Sequence, residues 1–264
     1  MSVVVTANAM AKYRSTLRKI SDKAADEVQQ YMLKHKFTID DNFIDFAYAI
    51  ATKYGEAAGA LSCEFYDFLV DYWKAASAGE KVYQTRFFNP AEPARTATYG
   101  ETAKTVHGVA LQTKNEEVMA NAVGRLVRLV GIDTIQQNAI RDGAEWAWIP
   151  SGDTCAFCLT LASNGWQPAS KKALKNGHAE HVHSNCDCVY AVRFDDSTEV
   201  EGYDPEEYEE LYDESTGTPE ERINYMRRQF YAENKDKINA QKRSAYEKRK
   251  ELNSSAAEEY EVTE

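Results

Sequence analysis

Apolar positions recur every three or four residues through the first part of the chain, the spacing of helices that bury one face. Tyr13, Leu17, Ile20, Ala24, Val28 and Met32 trace a long N-terminal helix. Phe43, Ala47, Ile50 and Tyr54 trace a second, preceded by Thr38 and Asp41 in a capping arrangement. Ala57, Leu61, Phe65, Phe68, Leu69 and Tyr72 predict a third. The stretch Arg86–Thr98 contains Asn89-Pro90 and Glu92-Pro93, which reads as a loop entering a weaker helix. A further strong helix, capped by Thr113 with Glu116, runs through Val118, Ala122, Leu126 and Val130 and continues past Gly131 to Ile140.

At Glu145 the period changes from helical to alternating. Glu145–Ile149 (EWAWI) and Val189–Phe194 (VYAVRF) have the aromatic and β-branched composition of strands. Together they bracket every cysteine except Cys63, so the two strands are expected to pair and present the intervening segment as one excursion. Farther on, Thr218-Pro219-Glu220-Glu221 combines an N-cap, a proline at the first helical position and a glutamate three residues after the cap. The helix it opens has a thin apolar stripe (Ile223, Met226, Phe230, Ile238), which suits an arm better than a core helix.

Charge changes this picture only once it is mapped. The net charge is −11, yet residues 1–194 carry 21 acidic and 21 basic side chains. Residues 195–214 hold 11 acidic residues and no basic one, and read as an acidic linker or loosely packed extension. Residues 220–251 hold 10 basic residues against 6 acidic. Acidity is thus concentrated in one segment and the C-terminal tail, which argues against the whole chain being a DNA binder and leaves the basic C-terminal helix as a local DNA contact. No stretch approaches the ~20 apolar residues of a membrane span. The opening MSVVVTANAMAKYR lacks the basic start and apolar length of a signal peptide, so synthesis in the cytoplasm with reduced thiols is expected.

Four of the five cysteines and three of the five histidines fall between Cys155 and Cys188. Cys155-x-x-Cys158 is half of a metal knuckle, and His183-x-x-Cys186-x-Cys188 supplies the other half after a polar insert. Tetrahedral Zn²⁺ takes four such sulfur and nitrogen donors. The expected ligands are Cys155, Cys158, His183 and Cys186, with Cys188 able to replace one of the last two. Four protein ligands make a closed structural site, whereas a catalytic zinc keeps one position for water. The competing arrangement is unliganded thiols or disulfides. Cys63 reads as a buried small hydrophobe, and His35 and His107 as surface or packing residues. A zinc-deaminase reading of His178-Ala179-Glu180 fails because its motif order is reversed. An HNH-type nuclease matches Glu180-His181-Val182 but needs a later histidine, and none follows His183.

The run Trp148-Ile149-Pro150-Ser151-Gly152-Asp153-Thr154-Cys155-Ala156-Phe157-Cys158, followed by His183-Ser184-Asn185-Cys186-Asp187-Cys188 and a strand, resembles the Mu F-like minor head proteins of tailed phages. The resemblance extends over 118–194 and includes the helix with Arg125, Arg128 and Arg141-Asp142-Gly143-Ala144. It implies a minor structural protein of the phage head, inside the capsid near the portal, which assists head assembly and DNA delivery, with portal and other head proteins as partners. The alternative is a zinc-dependent nucleic-acid enzyme of HNH-like type.

The expected architecture is therefore mainly α with a small α+β zinc-binding core. It comprises a helical N-terminal region (1–113), a core with the Cys/His-stapled hairpin (114–194), an acidic linker (195–217), and a basic helical arm with an acidic tail (218–264).

Overall fold

Three long helices and a three-stranded sheet organise the chain. The computed structural model describes residues 3–76, 88–150, 156–170, 188–196, 198–218 and 220–229, with further helical residues between 231 and 247. In order these are β1 (Val3–Val5), α1 (Ala7–Lys34), α2 (Asp41–Ala76), α3 (Tyr99–Ala110), α4 (Glu116–Arg141), β2 (Glu145–Ile149), α5 (Ala156–Ala162), β3 (Gln167–Pro168), β4 (Val189–Arg193), β5 (Thr198–Val200) and α6 (Pro205–Glu214). The mainly helical class agrees with the sequence reading.

α1, α2 and α4 pack against one another around a common core. α4 is the central helix, with residues buried around most of its circumference, from Met119 and Val123 to Gln136 and Ala139. Two glycines let it sit that deep. A Cβ on Gly124 would lie 2.9 Å from the Ser21 carbonyl oxygen of α1, and one on Gly131 would lie 2.8 Å from a Leu17 methyl. The buried Arg128 beside them donates a 2.9 Å hydrogen bond to Ser21 Oγ. Tyr13 and Ser62 share a 2.8 Å hydrogen bond between α1 and α2.

Several local features differ from expectation. The second and third predicted helices are one element, α2, because Gly55 and Gly59 do not break it. They make room for residues 88–98, which cross the helix as an extended strap: a Cβ on Gly59 would meet Pro93 at 3.1 Å, and one on Gly55 would meet Thr96 at 3.0 Å. Side chains of α2 and α4 pin the strap's backbone. Ala91 N–H donates to Asp67, Ala94 N–H donates to Thr134 Oγ1, and Asn138 both accepts from Glu92 N–H and donates to its carbonyl. Arg141 donates to the Asn89 and Pro90 carbonyls. The strap then enters α3 through a capping box of Thr98 and Glu101. The α4 cap is Asn115, whose side chain accepts from Val118 N–H, in place of Thr113. Asp40, two residues after Thr38, accepts from Phe43 N–H at the start of α2.

β2 and β4 pair antiparallel as expected, with Ile149 opposite Val189 and Glu145 opposite Arg193. β3 joins the other edge of β2. Trp146, Ala147, Trp148 and Ile149 are all buried, so both faces of this strand are covered.

The acidic stretch 195–217 is a folded part of the body and not a loose linker. Its β5 pairs in parallel with β1, tying the first strand to the segment after β4. Glu201 reinforces the tie, accepting from Ala7 N–H and donating its own N–H to Val5 O, both at 2.9 Å. Six of the eleven acids of 195–214 sit on α6, whose Tyr208, Leu211 and Tyr212 pack with Leu159 of α5 and with Ile223, Tyr225 and the fully buried Met226 of the C-terminal helix. That helix opens with the expected Thr218/Glu221 capping box. Its first turns are anchored by these contacts, and beyond Met226 its described side chains are exposed, save the half-buried Asn239.

Candidate functional site

The two halves of the Cys/His motif flank the β2–β4 ladder along the chain, one following β2 and the other preceding β4. Because Ile149 pairs with Val189, the next residues along, Pro150 and Cys188, stand opposite each other. The chain leaves β2 at Pro150 toward Cys155, and it returns through His183 and Cys186 to Cys188. Of the five expected ligands, Cys158 and Cys188 are described. Cys155, His183 and Cys186 lie outside the described residues, as do Asp153, His178, Glu180 and His181. Cys158 sits in α5, which packs against β2 and α6. Both described sulfurs belong to the main core, with the residues 1 % exposed.

Two residues that spacing did not flag stand at the same place. Arg14 of α1 donates from Nη2 to the Pro150 carbonyl at 3.2 Å. Tyr208 of α6 lies within electrostatic reach of both Cys188 and Arg14. Burial raises its hydroxyl above the ordinary pKa, negative charge on Glu207 and Cys188 adds to that, and Arg14 opposes it. Arg14 Nε and Trp148 Nε1 are buried without a hydrogen-bond partner in the structure. Arg14 is 136 residues from Pro150 in sequence, so no local pattern foretells their meeting. Tyr208 was hidden in a segment read as linker.

Around this end the walls are aromatic. Trp146 stacks on Tyr190 at 5.2 Å between ring centres, and Trp148 meets Tyr190 edge-on at 4.5 Å. Arg193 bridges the far end of the ladder to Glu145 at 2.6 Å and lies over the Trp166 ring. The described donors, the buried thiols of Cys158 in α5 and of Cys188 next to β4, are of the type that zinc takes. Among the described residues no group of three or more His, Cys, Asp or Glu side chains stands together in a way that could hold a metal ion. A complete ligand set therefore requires residues of the two connecting segments.

The remaining candidates are ordinary. Cys63 of α2 is half-buried, and burial, with Asp67 nearby, raises its thiol pKa. His35 is exposed and stacks on Tyr31, and His107 is exposed in the last turn of α3. No helix among the described residues is long and apolar enough to cross a membrane.

A family model described as VG15 protein matches residues 4–215. The match takes in β1, the helical bundle, the sheet and the acidic α6, and it leaves the C-terminal helix outside. No curated protein and no solved structure matches the chain. The matched span covers most of the 264 residues, so the chain belongs to the VG15 protein family, the viral gene 15 proteins.

Proposed function

We propose that this viral protein is a minor structural component of a tailed-phage head, located near the portal, where it assists head assembly and DNA delivery. The observation that carries the reading is the burial of Cys158 and Cys188 in the core that holds the β2–β4 ladder, with the other motif residues in the chain segments that follow β2 and precede β4. That arrangement suits a structural staple. Cys155, Cys158 and Cys186, with His183 or Cys188, would hold one Zn²⁺, which supplies a cross-link between two polar segments with little apolar material of their own. Arg14 and Tyr208 would line the staple and tie it to α1 and α6.

The helical bundle and the C-terminal helix then offer surfaces for portal, other head proteins or packaged DNA. Beyond Met226 that helix displays Arg227, Arg228 and Arg243 to solvent, the residue type that contacts phosphates. Its place outside the family match makes it the part best suited to a partner particular to this virus.

Two measurements test the proposal. Elemental analysis and zinc-edge X-ray absorption on untagged protein should find one zinc with four sulfur and nitrogen ligands. Quantitative mass spectrometry of purified virions should find the chain in a few copies per particle, and it should co-purify with the portal. A zinc bearing a water ligand, with metal-dependent DNA cleavage lost in Glu180→Gln, would replace the structural reading with a nuclease. Absence from virions would sink the head assignment.

A further inference from the structure

Tyr13 facing Ser62 and Phe65, and Lys53 bonded to Glu27 at 3.1 Å, fix α1 antiparallel to α2 and set their register. Along α1, Lys12, Lys19 and Lys23 are all exposed. Separations of seven and four residues put them in one stripe on its outer side. Along α2, Glu56, Glu64 and Asp71 are likewise exposed, at separations of eight and seven. The register makes Lys23 level with Glu56 and Lys12 level with Glu64, while Asp26 stands level with Lys53. None of the three lysines and three acids of the two stripes forms an ion pair among the described residues. The stripes point outward, not at each other.

The contact between α1 and α2 is aromatic and opens to the surface at one end. Tyr13 stacks on Phe65 at 4.1 Å, Phe65 on Phe68 at 6.3 Å, and Phe68 on Tyr72 at 5.8 Å. The ladder climbs from the buried contact of α1 with α2 to its exposed end, where Phe68 is 44 % and Tyr72 37 % exposed. Two stacked aromatic rings left in solvent at one end of the seam, beside charge stripes of opposite sign, have the mixed apolar and charged composition of an interface.

We infer that two copies of this chain pair through the α1–α2 face, about a two-fold axis running along the seam between the helices. Rotation about such an axis keeps every residue at its height and exchanges the sides. α1 of one copy therefore lies along α2 of the other, antiparallel, as in a four-helix bundle. The lysine stripe meets the acidic stripe of the second copy twice over, the self-complementarity that an isologous dimer requires. Phe68 and Tyr72 lie close to the axis and pack against their own counterparts. Exposed ion pairs contribute little individually. The aromatic pair thus supplies most of the affinity, and the charges select partner and register.

Sedimentation velocity and light scattering on the full chain, at low and high salt, test this. The expected result is a dimer at low salt whose dissociation constant rises about tenfold at high salt, as exposed charges are screened. Phe68→Ser with Tyr72→Ser should weaken association at least about tenfold. A chain carrying K12E, K19E and K23E should be monomeric, and so should one carrying E56K, E64K and D71K. Mixed in equal amounts, the two should form a dimer containing one of each. All these side chains are exposed or partly exposed, so circular dichroism should find the variants folded; should a triple variant unfold, Lys19→Glu alone combined with the salt series gives the same readout. A wild-type monomer at about 100 µM in low salt would overturn the inference. A dimer indifferent to both charge reversals would do so too. Lysine reversal that weakens retention on duplex DNA while leaving the oligomeric state unchanged would assign the stripe to nucleic acid instead.

Discussion

Gly124 is where the bundle has least room, and replacing it with alanine tests whether α1 and α4 pack as closely as described. The new methyl would sit 2.9 Å from the Ser21 carbonyl oxygen and 3.4 Å from the Ala25 methyl. Ordinary carbon–oxygen contact is several tenths of an ångström longer, and the obstacle is backbone, so no side-chain rotation relieves it. One helix must move, and Arg128–Ser21 and the Gly131–Leu17 contact move with it. Overpacking of this kind costs about 1–3 kcal/mol, and the better helix propensity of alanine returns about 1 kcal/mol. The net expectation is a loss of up to about 2 kcal/mol, or a melting temperature lower by up to roughly 8 °C for a chain of this size. Gly108 in α3 is the control, because a Cβ there meets nothing within 4 Å. Gly108→Ala should raise stability by about 0.5–1 kcal/mol from propensity alone. Denaturant and thermal unfolding followed by circular dichroism read both. If Gly124→Ala stabilises the protein as Gly108→Ala does, the close crossing of α1 and α4 is wrong.

Three further outcomes follow from particular groups. Burial raises the Asp133 pKa to about 6, with Arg95 opposing the shift and Glu101 adding to it; the folded state then binds the proton more tightly than the unfolded one, so stability should rise as pH falls from 7 toward 4. Asp133→Asn should flatten that slope and stabilise the protein at pH 7–8 by up to about 3 kcal/mol, measured by unfolding across the pH series; a slope unchanged by the substitution would refute the assignment. Asn138→Ala removes both hydrogen bonds to Glu92 and should cost about 2–3 kcal/mol while opening residues 88–98 to limited proteolysis; unaltered cleavage would mean that the strap is held by packing alone. If the metal staple is present, a chelator should release zinc and destabilise the sheet end before the helices, seen as loss of near-ultraviolet dichroism from Trp146 and Trp148 with helical signal retained, and Cys158→Ser or Cys188→Ser should do the same; a spectrum indifferent to chelator would sink the staple.

The sequence by itself determined whatever depends on neighbours in the chain. The three-and-four spacing from Tyr13 to Met32 is α1, the alternation in EWAWI and VYAVRF is the β2–β4 pair, and Thr218-Pro219-Glu220-Glu221 is the cap it resembles, because each signal arises within a few residues. Tertiary structure decided what depends on partners far along the chain. The two helices read on either side of Gly55 are one, because the strap lies against that glycine and against Gly59. The acids of 195–217 look like linker until β1 pairs with β5 and Met226 covers α6. Arg14 reaches the site only because α1 packs along α4 and passes the end of β2. Periodicity encodes which face of an element is apolar. It does not encode which distant surface will cover that face, and for this chain that choice joins the helical bundle to the cysteine-bearing sheet.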